Sequence, residues 1–422
     1  MGDNLIRQHL IDPEICIRCN TCEATCPVGA ITHDDRNYVV DVAKCGQCMD
    51  CVAPCPTGSI DNWREVSAGS AYSVSDQLGW DELPPADSAL ASSASVADAG
   101  IAVSVGAALR AVKVVATPTT SASPRLNATL PPWSAAHPYT NLVGPRCEQV
   151  SLTARVSGNV RVTQMGSGYD THHLVLDLGD QPFPLLEGQS IGVLPPGVDA
   201  NGRPHVVRQY SIASPRNGER AGYNNFSLTV KRVLQDRQGQ AVRGVASNYL
   251  CDLAVGDAVQ IVGPYGTSFL MPNHPGSHIV MICTGTGSAP MRAITEWRRR
   301  MAQGGKFVGG RLHLFFGARS PEDLPYFGPL QRLPQDFIDI HFAYSRVPGQ
   351  PKRYVQDVLR EQAARIGPLL ADPNAYFYVC GIRSMEEGVN AALRDLAIDG
   401  GMDWNDIAAQ LRQRGRLHVE TY

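Results

Sequence analysis

Two copies of one cysteine spacing occupy the first part of this 422-residue chain. Each copy has the form C-x2-C-x2-C-x3-C-P, so three cysteines share a short loop and a fourth precedes a proline. Together the copies use eight of the twelve cysteines: Cys16, Cys19, Cys22 and Cys26, then Cys45, Cys48, Cys51 and Cys55. This spacing is typical of segments that fold around [4Fe–4S] clusters rather than around an apolar core alone.

The spacing also predicts which cysteines share a cluster. A four-iron cube needs a thiolate at each corner; the C-x2-C-x2-C loop reaches three corners, and the fourth ligand comes from the other copy. The predicted ligands of cluster 1 are Cys16, Cys19, Cys22 and Cys55, and those of cluster 2 are Cys45, Cys48, Cys51 and Cys26. With this pattern, residues 8–63 resemble the bacterial two-cluster ferredoxins.

Two other uses of clustered cysteines are alternatives to this interpretation. Zinc sites usually show two separated cysteine pairs, and disulfide frameworks belong to small secreted chains with an export signal. The doubled spacing favours iron–sulfur clusters over both. The remaining cysteines at 147, 251 and 283 have no ligand spacing and are expected to be buried.

Composition predicts a soluble, globular, multidomain chain with 43% hydrophobic residues. No basic segment followed by an apolar one opens the sequence, and the longest apolar stretch, residues 99–116, is interrupted by Arg110 and Lys113. Neither export nor a membrane span is therefore expected. Thiolates reserved for iron indicate a reducing compartment, the cytoplasm.

Charge is distributed unevenly along the chain. Residues 1–66 carry five Lys and Arg against ten Asp and Glu, a net charge of −5, whereas residues 67–422 carry 32 against 30. An acidic electron carrier could dock on a locally basic face, although a solvated acidic surface is an equal alternative. Neither value suggests nucleic-acid binding.

The sequence does not decide the oligomeric state, and a homodimer is one of the alternatives.

Composition and periodicity divide the chain into four parts. An Ala-, Ser- and Pro-rich stretch indicates a linker, and short alternating runs such as His173–Leu178 then predict an antiparallel β-barrel. Farther on, apolar strands alternate with helical stretches such as Met385–Ala397, which is typical of a parallel α/β sheet. The predicted boundaries are 1–66 for an α+β two-cluster ferredoxin domain, 67–138 for the linker, 139–276 for the barrel and 277–422 for the α/β domain.

Two motifs in the barrel suit a phosphate-bearing cofactor. The first is Arg208-Gln209-Tyr210-Ser211 and the second is Gly244-Val245-Ala246-Ser247. Arginine presents a planar fork of donors to phosphate oxygens, and the Gly-x-x-Ser turn adds backbone N–H groups and a hydroxyl at a helix start. Each motif alone is weak, because an Arg-x-Tyr-Ser string is more often an ordinary strand.

With these motifs, residues 140–422 resemble the plant-type ferredoxin–NADP reductases, which implies FAD. By that resemblance Arg208 pairs with the FAD pyrophosphate, Tyr210 stacks on the isoalloxazine, and Ser211 hydrogen-bonds near its reactive nitrogen. The second motif assists at the pyrophosphate through Gly244, Val245, Ala246 and Ser247. The chain has Val233, Leu234 and Gln235 where several family members place an aromatic residue, so adenine stacking is not implied.

A glycine-rich turn in the α/β region predicts the nicotinamide nucleotide site. Such a turn between a strand and a helix lets a pyrophosphate approach backbone N–H groups and the positive end of the helix. The string is Thr284-Gly285-Thr286-Gly287-Ser288-Ala289-Pro290, which matches the family's Gly-Thr-Gly-x-Ala-Pro motif. The resemblance then assigns Ser345, Arg346, Lys352 and Tyr354 to the 2′-phosphate of NADP, so NADPH is expected over NADH. Surface basic residues without this role are the alternative.

Two further matches concern hydride transfer. They are Val379-Cys380-Gly381 and the final Glu420-Thr421-Tyr422. By resemblance, Cys380 and Gly381 lie beside the nicotinamide, Tyr422 covers the flavin until nicotinamide displaces it, and Glu420 helps protons and electrons pass. The predicted catalytic residues are Ser211, Cys380, Glu420 and Tyr422.

The order of the parts, a two-cluster ferredoxin, a linker and then a plant-type reductase, resembles the reductase components of oxygenase systems. That resemblance implies electron flow from NADPH through FAD and two [4Fe–4S] clusters to a separate di-iron oxygenase component. The sequence leaves three alternatives open: another oxygenase partner, the reverse reaction with an external ferredoxin, and a subunit of a larger electron-transfer complex.

Overall fold

The structure, a computed structural model, describes residues 5–84 and 151–422 apart from short gaps. The gaps are positions 15, 17, 19–20, 35, 53–54, 56–58, 182, 184, 221–222, 237, 273–275 and 306–308. Four predictions therefore lie outside the described residues: the cluster ligand Cys19, the expected burial of Cys147, the greater part of the linker, residues 85–138, and the first part of the barrel segment, residues 139–150.

The first described segment is a small α+β unit. In chain order it contains β1 (Leu5–Leu10), α1 (Thr21–Thr25), β2 (Ile31–His33), β3 (Tyr38–Val40), β4 (Asn62–Ser67) and α2 (Val74–Leu78). β1 pairs antiparallel with β4, and β2 pairs antiparallel with β3. The core of this unit is small because cysteines occupy much of it beside Ile11, Ile31 and Ile60.

Residues 67–84, assigned above to the linker, pack against this unit. Gln77 on α2 donates from Nε2 to the Val40 carbonyl at 2.9 Å, and its Oε1 accepts from the Val40 N–H at 3.1 Å. Asn37 donates to the carbonyl of Trp80 at 2.8 Å. Composition hides this packing because two buried amides carry it rather than apolar residues. The boundaries at 66, 138 and 276 stay predictions.

The second part is a six-stranded antiparallel barrel, as predicted. It contains β5 (Leu152–Arg161), β6 (Thr171–Asp177), β7 (Ser190–Leu194), β8 (Arg208–Ser211), β9 (Asn225–Lys231), α3 (Val245–Asp252) and β10 (Ala258–Tyr265). The strand order is β8-β7-β10-β5-β6-β9. A bridge between Ile212 and Leu228 brings the two edges together, and apolar side chains such as Leu174 and Phe226 fill the interior.

The third part is a five-stranded parallel sheet with helices on both faces, as predicted. Its elements are β11 (His278–Thr284), α4 (Ser288–Gln303), β12 (Leu312–Ala318), α5 (Phe327–Leu330), β13 (Ile338–Tyr344), α6 (Val355–Glu361), α7 (Ala363–Ala371), β14 (Ala375–Gly381), α8 (Arg383–Asp399), α9 (Trp404–Gln413) and β15 (Leu417–Thr421). The order is β13-β12-β11-β14-β15.

Successive side chains along β11 pack against opposite faces of that sheet. Val280 and Ile282 enter one buried cluster, whereas Ile279 and Met281 enter the other. A strand buried on both faces reads as a continuous apolar run, which is the pattern at residues 279–282. No helix in the part of the chain that the structure describes is both long and apolar enough to cross a membrane.

Candidate functional site

The structure brings together the four cysteines predicted for cluster 2. Cys26, Cys45, Cys48 and Cys51 line one small cavity, and none of them forms a disulfide. Burial, with the charges that the other three sulfurs would carry, raises the pKa of Cys51 to about 11. Four thiolates this close repel one another unless a cationic iron core neutralises them, so this set of donors fits a cluster.

The described ligands of cluster 1 are more deeply enclosed. Cys16, Cys22 and Cys55 are all buried. Cys16 and Cys22 lie close enough to Tyr38 to influence its hydroxyl electrostatically. No group of three or more His, Cys, Asp or Glu side chains among the described residues could hold a single metal ion. This is expected where each thiolate serves a different iron of a cube.

The predicted flavin motif forms β8 at an edge of the barrel sheet. Arg208 is exposed, while Tyr210 and Ser211 are half-buried. Ile212 and Leu228 form an antiparallel bridge. By the register of this bridge, Arg208 lies opposite the residues that follow β9. The exposed guanidinium therefore faces the same region as the turn before α3.

Exposed apolar side chains gather around this region. They are Val206, Val207, Val233, Leu234, Val242 and Val245, each at least 37% exposed. Gly244 is the N-cap of α3, and the Ser247 hydroxyl accepts the Val233 N–H at 3.1 Å. This exposed apolar strip lies beside the start of α3 and the exposed Arg208 guanidinium. The arrangement fits a flavin dinucleotide, whose rings would cover the strip. The individual roles of Gly244, Val245, Ala246 and Ser247 stay predictions.

The glycine-rich turn packs backbone against backbone on β14. A Cβ at Gly287 would lie 2.1 Å from the Cys380 carbonyl oxygen, and one at Gly381 would lie 2.3 Å from Thr284 Oγ1. Only glycine permits this approach. Ala289 and Pro290 are buried in the first turn of α4, so the turn leads directly into a helix whose start is anchored in the core.

A cavity of about 570 Å³ opens beside that turn. Its walls include the predicted Ser345, Arg346, Lys352 and Tyr354, together with Thr284, Gly285, Thr286 and Tyr422. The structure therefore places the predicted 2′-phosphate residues and the turn around one space. Cationic side chains outnumber Asp323 on its walls, which suits a ligand with several phosphate charges. Their contacts with NADP stay predictions.

The end of the chain is part of the sheet at this site. β15 pairs with β14 so that Glu420 lies beside Cys380, and the Tyr422 N–H donates to the Gly381 carbonyl at 3.0 Å. The Tyr422 and Thr286 hydroxyls share a hydrogen bond of 2.6 Å. The terminal tyrosine is thus fixed against the nucleotide turn.

Burial controls the ionisation of the two groups behind Tyr422. Burial, and then the neighbouring Glu420 carboxylate, raises the pKa of the Cys380 thiol well above its ordinary value, so the thiol stays neutral. Burial raises the pKa of Glu420 to about 7. Ser211 lies apart on β8, and its approach to the reacting atoms stays a prediction.

A buried ionic network fixes the barrel to the α/β domain. Arg292, on the second turn of α4, donates two hydrogen bonds of 2.7 Å to Glu219 and one of 2.9 Å to the Ala213 carbonyl. Burial alone would raise the pKa of Glu219, but Arg292 and His173 lower it well below the ordinary value. Because Ala213 follows the flavin strand closely, the network sets that strand relative to the helix that follows the nucleotide turn.

Sequence reasoning missed several residues of the cavity, and three of them pack together: Tyr169, Lys231 and Arg319. Lys231 lies 3.4 Å above the Tyr169 ring centroid, and Arg319 lies 4.4 Å from it on the cavity wall. Burial lowers the pKa of Lys231 to about 8. The sequence could have indicated Arg319, because it directly follows the last residue of β12. Parallel sheets bind ligands at this carboxyl edge.

Three protein-family profiles match the chain in the order of its parts. A "4Fe-4S dicluster domain" matches residues 8–56. An "Oxidoreductase FAD-binding domain" matches residues 150–269, and an "Oxidoreductase NAD-binding domain" matches residues 281–391. These matches support two [4Fe–4S] clusters, FAD and a nicotinamide nucleotide as the cofactors.

Relatives resemble the part that follows the linker. The cyanelle ferredoxin–NADP reductase of Cyanophora paradoxa is 38% identical over 272 residues, which are 63% of this chain and 74% of the relative. The ferredoxin–NADP reductase of a Spirulina species is 37% identical over 274 residues, 63% of this chain and 92% of the relative. A ferredoxin–NADP+ reductase structure from Plasmodium falciparum, 20% identical with a TM-score of 0.51, covers 64% of this chain and 96% of that chain; it shares the fold.

Proposed function

The chain belongs to the ferredoxin–NADP reductase family, and on that premise we propose that it carries electrons from NADPH through FAD and its own two [4Fe–4S] clusters to a separate di-iron oxygenase component. The family and the dicluster segment make it an FAD- and iron–sulfur-dependent oxidoreductase. What distinguishes it from the relatives is a ferredoxin unit in the same chain.

The observation that carries this proposal is direct contact between that unit and the reductase body. Arg299 on α4 reaches Glu14 at 3.4 Å, and Arg220 reaches Asp61 at 2.8 Å. Both contacts join an arginine of the reductase body to an acid of the ferredoxin unit. Acidic side chains of the unit therefore contact basic residues of the reductase body, which supports docking, one of the two alternatives that the net charge left open.

Held by the flavin motifs on β8 and before α3, a bound FAD would supply the chemistry that accepts a hydride from NADPH and releases electrons one at a time. The residues of the chain position and shield the reactants. The turn at 284–287 presents backbone N–H groups to the pyrophosphate, and the cationic wall holds the remaining phosphate. Tyr422 covers the inner end of the cavity, so nicotinamide must displace its ring. The buried Cys380 thiol stays uncharged, and Glu420, whose pKa burial raises to about 7, can take up or release a proton near neutral pH.

The acceptor is proposed from the order of the domains. The layout resembles the reductase component of benzoyl-CoA oxygenase, whose di-iron partner epoxidises the ring of benzoyl-CoA during aerobic benzoate degradation. The reducing conditions that iron–sulfur thiolates require suit a cytoplasmic location. No side chain described above recognises benzoyl-CoA, so substrate choice would rest with the partner component.

NADPH oxidation with a purified di-iron benzoyl-CoA oxygenase component tests the proposal. Anaerobically prepared protein is assayed in air with and without benzoyl-CoA, and the CoA product is analysed. We expect NADPH use to be coupled to oxygenated benzoyl-CoA. Reduction of flavin and clusters without an oxygenated product would reject this acceptor and retain the reductase. Faster NADP+ reduction by a reduced external ferredoxin would favour the reverse reaction.

A further inference from the structure

The two cluster sites differ in their access to solvent. Around cluster 1, the described ligands Cys16, Cys22 and Cys55 are at most 8% exposed. Around cluster 2, Cys48 is exposed, Cys26 and Cys45 are half-buried, and only Cys51 is buried. Because a one-electron carrier must bring its centre close to its partner, this difference separates an inner cluster from an outer one.

The reductase body covers the side of the unit that leads into cluster 1. Glu14, two residues before Cys16, pairs with Arg299 of α4, and Arg332 donates to the Pro13 carbonyl at 3.3 Å. The cavity between the two parts, about 40 Å³, is lined by Glu14 and also by Cys283 and Ser288 at the nucleotide turn. The loop of cluster 1 therefore adjoins the wall that carries the nicotinamide site.

The opening of cluster 2 carries an apolar rim. Within described residues 5–84, the large apolar side chains that are strongly exposed are Leu5, Val28 and Met49. Val28 and Met49 line the cavity of cluster 2 beside Cys48. Exposed apolar side chains gathered at a redox centre are typical of a surface that another protein covers.

The charge beside this rim is negative. Asp50 is exposed and has no ion pair among the described residues, whereas Lys44 is held by Asp41 at 3.2 Å. Residues 1–66 as a whole carry a net charge of −5. A partner that presents basic residues around an apolar contact would complement this surface and be steered toward it.

We propose that electrons leave the chain through cluster 2, and that Val28, Cys48, Met49 and Asp50, the cluster-2 rim, dock a one-electron acceptor protein with a basic surface. This inference rests on the proposed function. NADPH releases NADP+, one proton and two electrons; the electrons pass singly from FAD to cluster 1, then to cluster 2, and reduce two acceptor molecules. The order of the clusters follows from which one the reductase body covers.

The first test uses mitochondrial cytochrome c, a basic one-electron haem protein, as the probe. Val28→Lys and Met49→Lys each add one positive charge to the cluster-2 rim, and Ser75→Lys adds the same charge on exposed α2 outside it. We expect the two rim variants to bind cytochrome c about tenfold more weakly in the oxidised state at low ionic strength. Their ratio of cytochrome c to ferricyanide reduction should fall similarly, while Ser75→Lys stays at the wild-type ratio.

Equal weakening by all three variants would overturn the docking site, since it would show only the effect of net charge. Ferricyanide reports on flavin reduction without needing the rim. Absence of NADPH–ferricyanide activity in the wild-type protein would overturn the proposed function itself. If both rim variants bound cytochrome c as tightly as wild type and kept its ratio of cytochrome c to ferricyanide reduction, the proposed docking site would be wrong and the proposed function would stand.

The second test concerns the order of the clusters and uses electron paramagnetic resonance after mixing with NADPH. Cys48→Ser should retain a reducible cluster 1 yet reduce cytochrome c at least about tenfold more slowly. Cys22→Ser should leave cluster 2 oxidised under the same conditions. Prompt reduction of cluster 2 by NADPH in Cys22→Ser would reverse the order and overturn the proposed exit.

Discussion

At the scale of single residues, the nucleotide cavity depends on charges that the fold collects from distant positions. Arg346 follows the carboxyl end of β13, Arg319 follows β12, and Lys231 ends β9 in the other domain. Each lines the same cavity. Sequence reasoning reached Arg346 because a family motif marks it, but it missed the other two because their proximity arises only from tertiary packing.

Arg346→Ala should erode the preference for NADPH over NADH. Loss of one charge-assisted hydrogen bond to a 2′-phosphate costs about 1.5–3 kcal/mol, so the ratio of kcat/KM values should fall about tenfold or more. The matched control is Arg394→Ala, because Arg394 is exposed on α8 and does not line the cavity. An unchanged ratio in Arg346→Ala would remove this residue from cofactor selection.

Glu420 should make stability depend on pH. Burial raises its pKa from 4.5 to about 7, so the bound proton stabilises the fold fully below pH 4.5, and that contribution is lost as the pH rises through 7. Glu420→Gln stays neutral throughout. Relative to wild type, the variant should gain about 2 kcal/mol of stability as the pH rises from 5.5 to 8. A difference that does not change with pH would contradict the raised pKa.

At the scale of elements, helix and strand interiors were predictable and their functional ends were not. The apolar pattern predicted the helix interior at Met385–Ala397, and α8 extends beyond it from Arg383 to Asp399. α4 begins at Ser288, inside the small-residue nucleotide motif, where no apolar pattern marks a helix start. The final residues matched a family motif, yet their place as β15 followed only from pairing with β14. The four cysteines predicted for cluster 2 line one cavity, as two loops of fixed spacing would lead one to expect, and their role as ligands stays a prediction.

The network between α4 and the barrel should affect hydride transfer more than NADPH binding. Glu219→Gln removes the charge that balances buried Arg292, which costs about 3–5 kcal/mol of stability and loosens the flavin strand relative to the nucleotide turn. Stopped-flow measurements should show slower flavin reduction at saturating NADPH, with a nearly unchanged Kd for NADP+. Weaker binding with an unchanged limiting rate would contradict a positioning role.

At the scale of the whole molecule, arginines of the reductase body contact both carboxylates and backbone carbonyls of the ferredoxin unit among the described residues. Arg299 is buried beside three carboxylates, at 3.2 Å from Glu296, 3.4 Å from Glu14 and 3.8 Å from Asp12. Two of these acids belong to the ferredoxin unit and one to α4 itself. The Arg299 guanidinium therefore offsets the repulsion among these three carboxylates where the two parts meet.

Arg299→Met should uncouple the clusters from the flavin. Without the guanidinium the three carboxylates repel, the ferredoxin unit spends less time docked, and cluster reduction should slow by about tenfold or more. Stopped-flow absorbance resolves flavin bleaching from the later cluster reduction, and the second phase should slow far more than the first. Raising ionic strength should narrow the difference in cluster-reduction rate between variant and wild type, because screening weakens charge repulsion.

Arg311→Met is the control, since it breaks another arginine–carboxylate pair, with Asp339 on the far strand β13. Equal slowing of both phases would show that Arg299 supports the fold of α4 rather than the docking of the ferredoxin unit.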